Sequence, residues 1–415
     1  MSWFTVAGGA PLRGTIRVPG DKSISHRALL LGALAEGTST VRGLSPGDDV
    51  ARTRAAVEAM GAVVDGYTIT GGRARLHEPA QVLDVGNSGT SIRLLAGLCA
   101  GFPWLSVLAG DDSIARRPME RVTQPLRMMG AQVDGRDGGR FPPLVVRGGD
   151  LRGIDYAVPM ASAQVKSALL LAGVGATGET VVREISATRA HTEEMLAACG
   201  AAIEVDGLTV RLLPSVLKPF ELDVPGDPSQ AAFWVVAACI VPGSDVTVED
   251  VYLGPARAGF LDVLRRMGAD IDVDPAAGTI RARSCALRAV NVAADEIPGL
   301  DEIPALAVAA AMADGVTTFA DVEELTVKES DRIATVTSEL GALGARVEGG
   351  GGRLVIHGPS TLRSGAVHAH GDHRIAMAMA VAALAVDGET TIEGWDAVAT
   401  SYPGFARDLE LLRGE

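Results

Sequence analysis

Lysine is scarce in this chain. Only four of its 37 basic side chains are lysine, at Lys22, Lys166, Lys218 and Lys328. Lysine offers a compact, titratable ammonium that arginine does not, and three of the four fall inside the motifs described below. Cysteine is scarce too: the four residues show no metal-ligand spacing. Cys99, Cys199 and Cys239 lie in apolar helical runs, the pattern of buried thiols in a reducing cytoplasm. Long apolar runs are missing. The longest, such as Ile375 to Val386, hold about a dozen residues, too few to span a bilayer. The opening Met-Ser-Trp-Phe-Thr has the pattern of neither a signal nor a transit peptide. Positive charge is also short: the net charge is −14, which argues against a nucleic-acid or anionic-membrane partner. An anionic ligand would need cations gathered locally.

What the chain has is a repeat. A helix-like run closes on Gly61-Ala62, Gly130-Ala131, Gly200-Ala201, Gly268-Ala269 and Gly344-Ala345, with steps of 69, 70, 68 and 76 residues. Gly414 falls 70 residues after Gly344. A fixed period of this kind marks one supersecondary unit copied several times. Six copies of about 70 residues fill the 415, a length that by itself favours two or more domains. Each copy reads as turn, first helix, strand, second helix, Gly-Ala, strands. The first helices end at Gly37, Gly178, Gly243, Gly315 and Gly388, each before a β-type stretch, as a left-handed glycine stop predicts. The second copy is looser, with Gly101-Phe-Pro-Trp at that point. The sixth lacks closing strands, which Thr15 to Val18 are expected to supply.

The polar residues gather at one phase of this repeat, the start of the first helices. The texts are Pro19-Gly-Asp-Lys-Ser-Ile-Ser-His-Arg27, Gly86-Asn-Ser-Gly-Thr90, Met160-Ala-Ser-Ala-Gln164, Pro225-Gly-Asp-Pro-Ser229, Asp301-Glu-Ile-Pro304 and Gly371-Asp-His-Arg374. The first and fourth share Val-Pro-Gly-Asp-x-Ser, so they are expected to open corresponding halves of three copies each. Helix N-termini present free N–H groups and a positive dipole end, which suits phosphate. Bland readings stand beside this one. Ser23 or Ser25, Ser162 and Thr192 fit as helix caps, and a carboxylate at Asp301-Glu302 fits a dipole-friendly cap. Lys328 and Arg332, four apart, would share a helical face. Gly86-Asn87-Ser88-Gly89-Thr90 is not a Walker loop, since no Gly-Lys-Ser/Thr follows.

Taken together, the motifs resemble those of the 5-enolpyruvylshikimate-3-phosphate synthase family. The matching text adds Arg117-Pro-Met, Ala161-Ser-Ala-Gln-Val-Lys-Ser and Val327-Lys-Glu-Ser-Asp-Arg to the segments above, in family order, across residues 18 to 403. The resemblance implies an α/β, two-lobed enolpyruvyl-transferase fold of six βαβαββ repeats, three per lobe around a pseudo-threefold axis. One lobe would span 19–225. The other would join 1–18 to 226–415, with the active site in the cleft between lobes. The implied reaction transfers the enolpyruvyl group of phosphoenolpyruvate to the 5-hydroxyl of shikimate 3-phosphate. It releases phosphate through a tetrahedral intermediate, with no metal and no cofactor. By resemblance, Asp301 is the base, and Glu329 and Lys22 carry the proton at the methylene. Shikimate 3-phosphate would meet Lys22, Ser23, Arg27, Ser162, Ala163, Gln164, Arg189, Asp301 and Lys328. Phosphoenolpyruvate would meet Lys22, Asn87, Gly89, Arg117, Gln164, Arg332, His373 and Arg374. A monomer is expected.

The chain departs from parts of the family pattern. Ala163 stands where some members have a second serine, and Ala190 where an acidic residue is common. Ala399-Thr-Ser-Tyr-Pro403 lacks the lysine that some members carry there. These choices match a second sequence class of the family. The sister UDP-N-acetylglucosamine enolpyruvyl transferase usually has Lys-Asn at Lys22-Ser23 and a cysteine where Gly110 to Pro118 has none. A non-catalytic phosphometabolite-binding protein would keep the cations and lose Asp301 and Glu329. Gly89, lacking a side chain, is expected to leave room for the inhibitor glyphosate in the phosphoenolpyruvate pocket.

Overall fold

The protein is described here from a computed structural model of residues 2–414. The chain divides into two compact units, Gly20–Val224 and Met1–Pro19 with Pro225–Glu415.

The Gly20–Val224 unit holds three four-stranded sheets. In the first, Glu221–Asp223 runs parallel to Gly37–Arg42, which pairs antiparallel with Thr68–Gly71, itself antiparallel to Val63–Asp65. The second repeats that order with Leu83–Asp84, Leu105–Ala109, Phe141–Arg147 and Gln132–Gly135. The third does so with Asp155–Ala157, Thr180–Arg183, Thr209–Leu212 and Ile203–Asp206. A parallel neighbour requires a crossover connection. Gly89–Ala100 and Ala163–Gly173 provide it in the second and third sheets, whereas Lys22–Leu34 leads into Gly37–Arg42, whose parallel neighbour Glu221–Asp223 comes from the far end of the unit. These helices are buried on nearly every face, as apolar runs without an amphipathic stripe must be. A Cβ on Gly97 would lie 2.2 Å from the Ala168 carbonyl oxygen, so only glycine allows the second and third to pack this closely.

The other unit has the same plan. Arg13–Arg17 runs parallel to Asp245–Glu249, followed by Thr279–Arg283 and Asp270–Asp274. Asn291–Ala293 leads Gly315–Ala320, Arg353–Gly358 and Arg346–Gly350. The last sheet has three strands: Ala366–His368, Glu389–Glu393 and Trp3–Ala7. Its first helices, Pro228–Ile240, Ile303–Met312 and His373–Leu384, pack on one another as an alanine-rich core.

The repeat period corresponds to backbone geometry. Gly61, Gly130, Gly200, Gly268, Gly344 and Gly414 all take positive φ just past the second helices. The looser second copy differs as its text suggests: Gly101 has φ −73°, while Gly37, Gly178, Gly243, Gly315 and Gly388 are all left-handed.

One expectation is corrected. Thr15 to Val18 do not close the sixth copy; Trp3–Ala7 does, antiparallel to Glu389–Glu393. Arg13–Arg17 instead leads the fourth sheet, in parallel with Asp245–Glu249. The reason is direction: the strand that closes a sheet runs antiparallel to the one after the first helix, as Trp3–Ala7 does, whereas Arg13–Arg17 runs parallel to its neighbour and so takes the leading place. Glu221–Asp223 takes that place in the first sheet before running on into the fourth copy.

Candidate active site

In the Gly20–Val224 unit the first copy builds a cationic corner. Asp21 caps the Lys22–Leu34 helix by accepting from Ile24 N at 2.8 Å. Neither Ser23 nor Ser25 is the cap. Capping at Asp21 puts Lys22 on the first turn, where its Nζ lies 3.0 Å from Asp49. The Lys22 side chain is 13% exposed, so its ammonium remains reachable. Ser23 Oγ accepts from Arg189 at 3.0 Å. Arg27 is buried; it donates to Thr192 Oγ1 at 2.6 Å, Ser167 Oγ at 2.6 Å and the Ser23 carbonyl at 2.8 Å. Thr192 therefore does not cap its helix, which begins at His191 with no side-chain cap. Its hydroxyl holds Arg27 instead.

The second and third copies meet beside this corner. Ser88 caps the Gly89–Ala100 helix, and Asn87 is half-buried before it. Gly89 has a steric reason to be glycine: a Cβ there would lie 2.6 Å from Arg117 Nη1 and 3.0 Å from Arg93 Nη1. Arg117, buried, donates to Ser113 Oγ at 3.2 Å. Gln164 accepts from Arg93 at 2.6 Å and donates to Thr90 at 3.0 Å, so its amide is oriented from both ends. Ser162 does cap the Ala163–Gly173 helix, accepting from Val165 N. Ala163 opens that helix with its carbonyl taken by Ser167 Oγ.

The other unit gathers carboxylates around arginine. Arg332, 1% exposed, donates to Asp372 at 2.8 and 3.2 Å, to Glu329 at 2.6 Å and to Asp301 at 3.3 Å. Burial works against its charge, but Asp372, Glu329 and Asp301 outweigh burial and hold the guanidinium above its usual range. Burial likewise opposes ionisation of Asp372, and Arg332 reverses the balance, keeping that carboxyl below its usual range. Asp301 also lies 3.6 Å from Arg374 Nε and 4.0 Å from Lys328 Nζ. Arg374 Nη1 donates to the Asp301 carbonyl at 3.1 Å. Burial pulls the Lys328 ammonium below its ordinary range, with Asp301 and Glu324 opposing. His373 is buried at the start of the helix that Asp372 caps.

Lys328 and Arg332 do not share a helical face. Lys328 follows the short 3-10 turn Glu323–Val327, and Asp331 caps the Arg332–Ala342 helix, which starts after it. Both cations still reach Asp301, through tertiary approach. Glu302 is not a side-chain cap either; it accepts from Ser229 and lies 3.5 Å from Arg257. Tyr402, in the segment without lysine, is a core residue that donates to Asp408 at 2.8 Å and accepts from Trp234.

Two neighbours of these residues, Asp49 and Arg93, carry no site motif of their own. Asp49 reads as an ordinary acid at a helix N-terminus, and nothing local points it at Lys22. Arg93, four residues after Gly89, follows from helix spacing once that glycine is singled out. Among the described residues no cluster of His, Cys, Asp and Glu has the makings of a metal site, and no helix is long and apolar enough to cross a membrane.

The family model for EPSP synthase (3-phosphoshikimate 1-carboxyvinyltransferase) matches residues 6–409. The chain belongs to the EPSP synthase family. It is 48% identical to a 3-phosphoshikimate 1-carboxyvinyltransferase of Bacillus anthracis, covering 97% of both chains. It is 47% identical to the Bacillus cereus protein of the same name, again over 97% of each. Among solved structures it is similar to EPSP synthase from Acinetobacter baumannii, with TM-score 0.85 and 40% identity over 99% of this chain and 97% of that one. The enolpyruvyl transferase NikO from Streptomyces tendae shares the fold, with TM-score 0.80 and 22% identity over 98% and 96%. This EPSP synthase family member is thus a transferase with an α/β enolpyruvyl-transferase fold.

Proposed function

We propose that the two clusters act on one pair of substrates, shikimate 3-phosphate and phosphoenolpyruvate, and divide the chemistry between them. The reaction is the family's: the acceptor 5-hydroxyl adds to C2 of the enol, C3 gains a proton, and phosphate then leaves as that proton is withdrawn. Asp301 takes the hydroxyl proton. Three cations lie around its carboxylate, which supports a base held in one orientation. Glu329 and Lys22 move the proton at the methylene carbon. Each is partly exposed and paired, Glu329 with Arg332 and Lys22 with Asp49.

Arg117, Arg332 and Arg374 hold phosphoenolpyruvate, whose phosphate and carboxylate suit charge-assisted pairs. Gly89 offers its backbone N–H; Asn87, Gln164, Lys22 and His373 complete the set. Lys22, Ser23, Arg27, Ser162, Ala163, Gln164, Arg189, Asp301 and Lys328 hold shikimate 3-phosphate. The enzyme works as a cytoplasmic monomer in this reading.

The observation that carries the proposal is the placement of Asp301 beside Lys328, Arg332 and Arg374, an acid–base and anion-binding group in one place. The test is phosphate release with shikimate 3-phosphate, run beside UDP-N-acetylglucosamine as acceptor. Release is expected with the first alone. Asp301→Ala should lower turnover by about 10²–10⁴-fold, the usual share of general acid–base catalysis, with ligand binding by calorimetry retained. Full turnover in that variant would remove Asp301 from the mechanism.

A further inference from the structure

Lys166 lies inside the Ser-Ala-Gln-Val-Lys-Ser text but is not among the substrate contacts proposed above. It is 1% exposed, and its ammonium sits between two buried carboxylates, 2.7 Å from Glu184 and 2.6 Å from Glu193. A buried lysine with two acids is costly to assemble unless the geometry serves something. Burial pushes the Glu193 carboxyl up, with Lys166 opposing.

The three residues come from three consecutive pieces of the third copy. Lys166 is on the first turn of the Ala163–Gly173 helix, its N–H bonded to the Ser162 carbonyl at 3.2 Å. Glu184 directly follows the Thr180–Arg183 strand and begins the irregular segment that carries Arg189. Glu193 is on the His191–Ala198 helix that ends the segment. Thr188, next to Arg189, donates to the second oxygen of Glu184. One ammonium therefore ties both ends of the Arg189 segment to the helix start bearing Ser162, Ala163 and Gln164. Arg27 makes a parallel stitch through the neighbours of the same residues, Ser167 and Thr192.

We infer that Lys166, with Glu184 and Glu193, is a positioning group that fixes Arg189 relative to Ser162–Gln164 and so sets selectivity for the phosphate of the acceptor. The inference rests on the reading of Arg189 as a ligand of shikimate 3-phosphate. The readout is the ratio of kcat/KM for shikimate 3-phosphate to that for unphosphorylated shikimate. A purely structural role would lower both alike.

Lys166→Met should raise KM for shikimate 3-phosphate about tenfold, equivalent to 1.4 kcal/mol, and lower the ratio by a similar factor. KM for phosphoenolpyruvate should stay within about twofold, well under that energy. Glu184→Ala keeps the Lys166–Glu193 pair neutral and guards against misfolding; it should shift the ratio in the same direction. Adding Lys166→Met to Arg189→Ala should change the ratio no further. If Arg189→Ala lowers the ratio while Lys166→Met and Glu184→Ala leave it unchanged, the inference fails alone. If Arg189→Ala itself leaves the ratio unchanged, the reading of Arg189 fails and takes the inference with it.

Discussion

The first and fourth copies open with the same text, Val-Pro-Gly-Asp-x-Ser, and use it differently. In both, the aspartate caps the first helix: Asp21 accepts from Ile24 N, and Asp227 from Ser229 N. In the first copy the middle residue is Lys22, whose partly exposed ammonium pairs with Asp49. In the fourth it is Pro228, a rigid first-turn residue with nothing to titrate. There Asp227 also takes Arg257 at 2.7 Å, and Ser229 bonds both Arg257 and Glu302. The Arg257 side chain is 1% exposed. One motif thus yields a reachable cation in one copy and a sealed internal network in the other. The turn geometry is common to both; the chemistry depends on the one variable residue and on what packs over it.

That contrast can be broken experimentally. The largest effect is expected from Lys22→Met, a loss in kcat of about 10³-fold, within the range for removing a proton-transfer group, in a protein that still folds. Steady-state kinetics beside a thermal melt decides it; an active variant would reduce Lys22 to a helix residue. Arg257→Met should do the opposite. It leaves Asp227 and Glu302 buried without their cation and should cost about 3–5 kcal/mol of stability, while the folded fraction keeps its KM values. Urea unfolding measures the loss, and a specific rise in KM would move the fourth copy into the site.

The second copy gives a smaller effect. Gly89→Ala puts a methyl against Arg117 and Arg93, so the guanidinium must shift. Inhibition by glyphosate, competitive with phosphoenolpyruvate, should weaken about tenfold or more, at least 1.4 kcal/mol, and KM for phosphoenolpyruvate should rise by less. An unchanged inhibition constant would show that the space beside Gly89 is not used. Pro228→Ala should matter least. It costs about 0.4–1 kcal/mol through the unfolded chain and leaves turnover intact, whereas the matching position in the first copy is the most sensitive of the four.

Much of the candidate site is legible in the amino-acid order. Lys22, Gly89, Gln164, Asp301, Lys328, Arg332 and Arg374 stand in short motifs at or near helix starts, and residue type at a helix start carries chemical meaning by itself. Less legible is what each polar group bonds. Thr192 has the text of a cap and instead holds Arg27 across 165 positions of sequence. Glu302 has the text of a dipole partner and instead closes the Arg257 network. Asp49 carries no local signal at all, because its meaning comes from Lys22, on another helix.

The period, the six glycine stops and the phase at which polar residues collect are written in the amino-acid order. These are local properties: a left-handed residue after a helix, a cap before one, an apolar run between. Folding adds that Trp3–Ala7 closes the last sheet while Arg13–Arg17 leads the fourth, that Asp21 and not a serine caps the first helix, and that Lys328 and Arg332 meet at Asp301. Strand pairing and ion pairing join residues far apart in sequence, and their choice depends on which partners remain once every buried polar group has been satisfied.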